Sequence, residues 1–202
     1  MATYTIRPFN TGFIGGAPGK NEPVNFYNYH FSMNKLLEKR GMPPATRNAC
    51  VMFLIEGEGH RILCDTGMCN TERANAYHHK GSEQAPGFSV IERLASVGLK
   101  PEDIDMIIYT HLHWDHVAYS DQFTKAVKIC NQTELDFAKD PIPLYYKSYE
   151  SAVLGVKSYI TDLKFDTIMG DTEILREIGA FDTPGHAPGH IAVEVDTAAG
   201  KY

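Results

Sequence analysis

A histidine-rich segment, THLHWDHV at residues 110–117, constrains this chain more than any other feature. It directly follows a short apolar run, 106–109, that predicts a buried strand. Within six residues the segment offers four nitrogen or oxygen donors: His111, His113, Asp115 and His116. Histidines this close together repel one another as cations, whereas neutral imidazoles are good ligands for zinc and neighbouring metals. The segment therefore predicts a metal centre rather than a solvated loop that happens to be rich in histidine.

A second cluster, TPGHAPGH, occupies residues 183–190. His186 follows a Pro-Gly pair that bends the backbone and leaves room for a ligand. It stands 70 positions after His116, so only tertiary folding can bring it to the first cluster. His190 is a weaker candidate, which either supports the site by a hydrogen bond or simply begins the next strand.

The remaining pattern predicts an α+β fold in one domain, residues 1–202. Short strands in hairpins, with helices between them, favour two layers of mainly antiparallel sheet with helices outside. Predicted strands cover 3–9, 49–55, 61–64, 106–109, 126–130, 167–168, 172–175, 178–182 and 191–195. Successive antiparallel pairing is expected for the strands 167–168, 172–175 and 178–182. Predicted helices cover 32–40, 89–97, 131–138 and the second half of 141–159. Residues 11–23 are predicted to form a loop, and 68–87 a long loop with some helical turns.

Composition excludes several classes of function. The net charge of −6, from 25 acidic and 19 basic residues, disfavours nucleic-acid binding. No apolar run reaches the ~18 residues of a membrane span, and the first residues lack the apolar core of a signal peptide. The cysteines lack C-x-x-C spacing and are expected to be buried thiols in a reducing cytoplasm: Cys50, Cys64, Cys69 and Cys130.

HLHWDH followed by TPGHAPGH resembles the metallo-β-lactamase superfamily, in the hydrolase branch with an H-x-H-x-D-H signature. Within it the chain is most similar to quorum-quenching N-acyl-homoserine lactonases. The similarity runs from Val51 to Val195 and includes ILCDTG, which contains Asp65. Thioesterases of the glyoxalase II type and RNase Z-like phosphodiesterases carry nearly the same signature, so both remain alternatives.

The resemblance implies an αββα sandwich with two divalent metal ions, zinc being favoured, at one edge between the sheets. His111, His113 and His186 would bind the first ion, and Asp115 and His116 the second. Asp65 would support the metal loop from outside the ligand set, as His190 would if it is not simply part of the next strand. A metal-bound hydroxide would then open a lactone or a related cyclic ester or amide, a small-molecule substrate, with Asp115 as the catalytic residue that moves the proton.

The chain departs from the family pattern after His190. The family places a bridging aspartate on the following strand and a histidine further on, but Glu194 and Asp196 match neither position well. Relative to the family, the chain is expected to lack the C-terminal strands and helix. A second polypeptide would then supply the ligands, the chain would be part of a longer protein, or it would be a non-catalytic metal-binding relative.

Three further features allow two or more interpretations. Trp114 either lines the substrate pocket or packs beneath the metal loop. The aromatic-rich segment 26–33 is a lid over the pocket, a homodimer contact or part of the core. His78 and His79 lie in a polar stretch and are expected to be exposed to solvent.

Overall fold

The computed structural model describes residues 4–15, 35–42 and 48–202, which form two packed sheets with helices, as the predicted α+β class requires. The strands are β1 (Thr5–Ile14), β2 (Asn48–Gly57), β3 (His60–Cys64), β4 (Met106–Ile108), β5 (Val127–Asn131), β6 (Asp166–Ile168), β7 (Thr172–Leu175), β8 (Ile178–Asp182), β9 (Ile191–Thr197) and β10 (Gly200–Lys201). The helices are α1 (35–39), α2 (Thr71–Tyr77), α3 (Val90–Ala95) and α4 (Gln132–Lys139). The predicted segment 26–33 lies outside the described residues.

The larger sheet is mixed, which corrects the expectation of mainly antiparallel pairing. Its strand order is β1-β2-β3-β4-β5-β6, and β3 to β6 run parallel. The chain between successive parallel strands is at least 18 residues long, which is enough for a crossover connection. β6 therefore joins this sheet beside β5 and does not pair with β7. The smaller sheet, ordered β10-β9-β8-β7, is antiparallel as predicted.

Alternate residues of the larger sheet feed two separate cores. Ile62 and Ile108 face the smaller sheet and pack against Ile178 and Ile191. Leu63 points the other way, into a core shared with α3 and the loops outside the sheet. Burying one such side chain fully stabilises the fold by about 1.5–3 kcal/mol, so the period of two in these strands holds both layers together.

The carboxyl ends of the parallel strands meet at one edge, and polar residues follow each strand there. Asp65 comes after β3, Thr110 follows β4 by two residues, and Asn131 ends β5. The Asn131 side-chain amide donates to Asp182 Oδ1 at 2.8 Å, which joins this edge to the end of β8 in the smaller sheet. The crossover topology thus gathers the loops that carry both histidine clusters.

The remaining predictions of helices and loops agree with the structure in some places and differ from it in others. In the structure the Ser89–Glu92 capping box begins α3 and Asn131 caps α4, close to the predicted helix starts at 89 and 131. The loop prediction for 11–23 was wrong in part, because β1 runs on to Ile14, whereas α2 supplies helical turns of the kind predicted within 68–87. The second half of 141–159 holds only the short 3-10 turn Ala152–Leu154.

All four cysteines are buried free thiols. No described helix is both long and apolar enough to cross a bilayer.

Candidate metal centre

The loop after β4 turns its histidines toward the joined edge of the sheets. Leu112 is buried in the core outside the larger sheet, and the histidines on either side of it are buried as well. The rings of His111 and His113 lie 4.4 Å apart, centroid to centroid. A tight turn, closed by the His116 amide donating to the His113 carbonyl at 2.9 Å, then brings Asp115 back beside them. The loop thereby concentrates four potential ligands on one side.

His186 reaches this loop from the smaller sheet. The Thr183 amide donates to the His190 carbonyl, and the Ile191 amide donates to the Thr110 carbonyl at 2.9 Å, so the second cluster closes onto the first. The His186 ring lies 4.8 Å from both His111 and His113. The nearest ligand atoms of these three histidines all lie within 4.8 Å of one another. The structure therefore brings together the three residues predicted for the first ion.

The chemistry of this trio fits a metal ion. The Nε2 atoms of His111 and His113 are buried and have no hydrogen-bond partner. Burial lowers the pKa of His113 to about 3, with Asp115 opposing only in part, and holds the pKa of His111 well below its usual range. Both rings are therefore neutral at pH 7. Buried unpaired nitrogens of neutral imidazoles are costly unless an ion binds them, and zinc favours such donors.

Asp65 orients two of the site's histidines. It adopts a left-handed backbone conformation (φ 63°) that aspartate tolerates better than most residues. Its carboxylate accepts the Thr110 hydroxyl at 2.8 Å and lies 2.7 Å from His116 Nδ1. Because that hydroxyl proton is used, the 3.0 Å contact between Thr110 Oγ1 and His111 Nδ1 assigns the donor to His111 and leaves its Nε2 as the acceptor.

Asp115 and His116 form a pair beside the trio. His116 Nε2 lies 3.5 Å from Asp115 Oδ2. Burial lowers the pKa of His116, but the carboxylates of Asp65 and Asp115 outweigh burial and raise this pKa to about 10. Burial raises the pKa of Asp115, but His116 outweighs this and holds it below its usual range. In the described part of the chain, only the trio forms a group of three or more such ligands.

His190 borders the centre without joining the trio. Its ring lies 5.2 Å from the His111 ring, and its Nδ1 lies 2.8 Å from the Thr183 hydroxyl.

Glu194 and Asp196, the poor matches for the bridging aspartate, both contact Lys201 Nζ on the exposed hairpin β9–β10.

Trp114 is buried beneath the loop, with 3% of its surface exposed, which favours the packing interpretation. Its indole stacks on the His78 ring, with the ring centroids 4.1 Å apart and an angle of 3° between the ring planes. The expectation of an exposed His78 was wrong, because His78 Nε2 bonds the buried carboxylate of Glu150 at 2.9 Å. Arg73 holds the same carboxylate with two hydrogen bonds. His79 is partly buried nearby.

Sequence reasoning missed Glu134, a fully buried carboxylate on α4. It accepts hydrogen bonds from the backbone of both histidine segments, through Leu112 and Gly189. A glutamate in the first turn of a helix normally faces solvent, so no local signal marks this one; only the packing of α4 between the two segments does.

Comparison with known proteins agrees with this geometry. Residues 45–202 match the family described as the metallo-beta-lactamase superfamily. An N-acyl homoserine lactonase of Bacillus cereus is 29% identical over 153 residues, covering 72% of this chain and 57% of that protein. The lactonase AiiB of Agrobacterium fabrum is 27% identical over 161 residues, covering 71% and 56%. The chain thus matches little more than half the length of these curated relatives.

Solved structures share the fold. An N-acyl homoserine lactone hydrolase, with the product N-hexanoyl-L-homoserine at its catalytic metal centre, superposes with a TM-score of 0.71 at 23% identity, covering 100% of this chain and 74% of that one. The dizinc quorum-quenching lactonase AidC gives a TM-score of 0.66 at 16% identity, covering 98% and 69%. At these identities the likeness concerns the fold alone.

Proposed function

The chain belongs to the metallo-beta-lactamase superfamily, and from that premise we propose that it is a zinc-dependent hydrolase that opens a lactone or a related cyclic ester or amide. The observation that carries the proposal is the buried trio His111, His113 and His186, with two unpaired imidazole nitrogens directed into one site. The lactone class comes from the relatives, which are named as N-acyl homoserine lactonases.

The trio would hold one ion, and Asp115 with His116 would contribute ligands to a second. Bound there, divalent zinc would polarise the substrate carbonyl and lower the pKa of a water molecule in the site. His116 would keep its Nε2 toward the ion because Asp65 engages its Nδ1. His186 is exposed, so the trio is open on the side from which a small ring can approach.

Asp115 would handle the proton. Its carboxylate is ionised at neutral pH, since its pKa lies below the usual range. Asp115 would therefore accept a hydrogen bond from the attacking water, orient that water toward the carbonyl carbon, and pass its proton to the ring oxygen that leaves. The product would be the open hydroxy acid.

The test is hydrolysis of an N-acyl homoserine lactone by the zinc-loaded chain, followed as acid release. Asp115→Asn keeps the shape and is expected to lower the rate by roughly 10²–10⁴-fold, the usual range for a lost general acid–base group. His113→Ala should abolish turnover. His60→Ala, at the far end of β3 from Asp65, is the matched control and should retain wild-type activity. Full activity of the first two variants would sink the proposal.

Thioester and phosphodiester substrates belong in the same experiment, because enzymes of both classes carry nearly the same signature. The net charge of −6 disfavours an anionic phosphodiester. Faster turnover of either substrate than of the lactone would reassign the substrate class while leaving the metal centre intact.

A second candidate is a metal-binding subunit whose site a second polypeptide completes. Its support is that Asp115 and His116 offer two ligand atoms, whereas zinc takes four ligands. Elemental analysis of the purified chain separates the two candidates: two ions per chain favour the hydrolase, and one ion without turnover favours the subunit.

A further inference from the structure

Glu134 is a buried carboxylate that the proposed chemistry does not use. It is 0% exposed and lies in the first turn of α4. Its Oε1 accepts the Leu112 amide at 2.9 Å and the Tyr149 hydroxyl at 2.8 Å, and its Oε2 accepts the Gly189 amide at 3.1 Å. A buried carboxylate is tolerated only when its oxygens are satisfied, and here three neutral donors satisfy them.

The two amides belong to the two metal-binding segments. Leu112 separates His111 from His113, and Gly189 lies three residues after His186. The segments come from different sheets, and a single side chain bonds the backbone of both. The distance between the segments therefore depends on the position of this carboxylate.

The Tyr149 hydroxyl, the third donor to Glu134, connects this carboxylate to the ring of His113. The Tyr149 ring meets the His113 ring edge to face, with centroids 4.7 Å apart. The Tyr149 ring also packs against the Phe137 ring of α4, with the centroids 5.5 Å apart. Because its hydroxyl is bonded to Glu134, Tyr149 holds the His113 imidazole in one orientation.

Close packing of Gly189 on α4 supports the same conclusion independently. A Cβ added at Gly189 would lie 2.3 Å from the Glu134 amide nitrogen and 2.6 Å from its Cβ. The backbone of Gly189 is not left-handed, so this position needs glycine for space rather than for conformation. The second histidine segment is seated directly on the backbone of Glu134.

We propose that Glu134 is a positioning residue of the metal centre, which sets the separation of His111 and His113 from His186. Partners that orient metal ligands typically account for roughly 10–100-fold in metal affinity. The inference rests on the metal centre of the proposed function and is independent of the substrate.

The test is zinc affinity, measured by competition with a chromogenic chelator. Glu134→Gln preserves shape, but one amide oxygen cannot accept from both sides, so its NH₂ group must face an N–H or O–H donor. Zinc affinity should fall roughly tenfold or more, and the visible spectrum of the Co²⁺-loaded chain should change. Tyr149→Phe removes one donor and keeps both amide bonds, so a smaller loss in the same direction is expected.

Leu94→Ala is the matched control, since Leu94 is equally buried but lies on α3, a different element from α4 and from both histidine segments. It should lower thermal stability and leave zinc affinity unchanged. Wild-type zinc affinity and an unchanged Co²⁺ spectrum in E134Q would overturn the proposal, as would an equal loss of affinity in L94A. If E134Q does not fold, Y149F decides: reduced affinity supports the proposal and wild-type affinity overturns it. A wild-type chain that binds no zinc would overturn the metal centre itself, whereas a chain that binds zinc without opening lactones would leave this inference standing.

Discussion

Replacing Gly189 by alanine tests how tightly the second histidine segment must sit on α4. The new methyl group would lie 2.3, 2.6 and 2.7 Å from three atoms of Glu134, two of them backbone. Ordinary contact begins near 3.4 Å, so the segment and the helix must separate by about 1 Å. That movement would stretch the hydrogen bond between the Gly189 amide and Glu134, now 3.1 Å long, beyond a useful length.

The size of the effect follows from two opposing contributions. Overpacking typically costs about 1–3 kcal/mol, and contact with backbone places this site at about 3. Alanine also restricts the unfolded chain, which offsets about 0.4–1 kcal/mol. The net destabilisation of about 2–3 kcal/mol should lower the melting temperature by roughly 5–10 °C in a chain of this length.

Thermal unfolding followed by circular dichroism, without zinc and then with it, measures both consequences. Gly179→Ala is the matched control, because its Cβ would meet nothing nearer than the Phe181 ring at 3.4 Å and its backbone is also not left-handed. We expect Gly179→Ala to melt at or slightly above the wild-type temperature, and Gly189→Ala to lose both stability and zinc affinity. Equal melting temperatures for the wild type and Gly189→Ala would refute the steric argument.

Two further predictions concern zinc and a buried ion pair. Free Zn²⁺ at 100 times its Kd should stabilise the chain by about 2.7 kcal/mol, and His111→Ala should abolish the rise in melting temperature. Glu150→Gln removes the negative charge that pairs with Arg73 and should cost about 3 kcal/mol in chemical denaturation at pH 7. Although burial raises it, His78 and Arg73 hold the pKa of Glu150 below its ordinary 4.5. The stability that ionised Glu150 contributes is therefore complete above pH 4.5 and is lost as the pH falls through the lower folded-state pKa. A difference in stability between wild type and variant that stays constant down to pH 2 would contradict this assignment.

Local patterns predicted the features whose causes are local. Residues within a few positions of one another produce the apolar run before His111, the hairpin of β2 and β3, and the helices that begin after Ser89 and Asn131. His78 shows where such reasoning fails. Its neighbours along the chain are polar, yet it is buried because Glu150 and Trp114 reach it from distant parts of the sequence.

By itself, the sequence determined the family and predicted the ligand types, because the spacing of its two histidine segments is specific enough to name the superfamily. Tertiary structure alone decided how those segments meet. Strands β3 to β5 run parallel because long crossovers connect them, so Asp65, His111 and Glu134 come to one edge of the sheet although 69 positions separate the first from the last. Hydrogen bonds and packing act over a few ångströms, and residues so far apart in sequence come within that range only once the chain has folded.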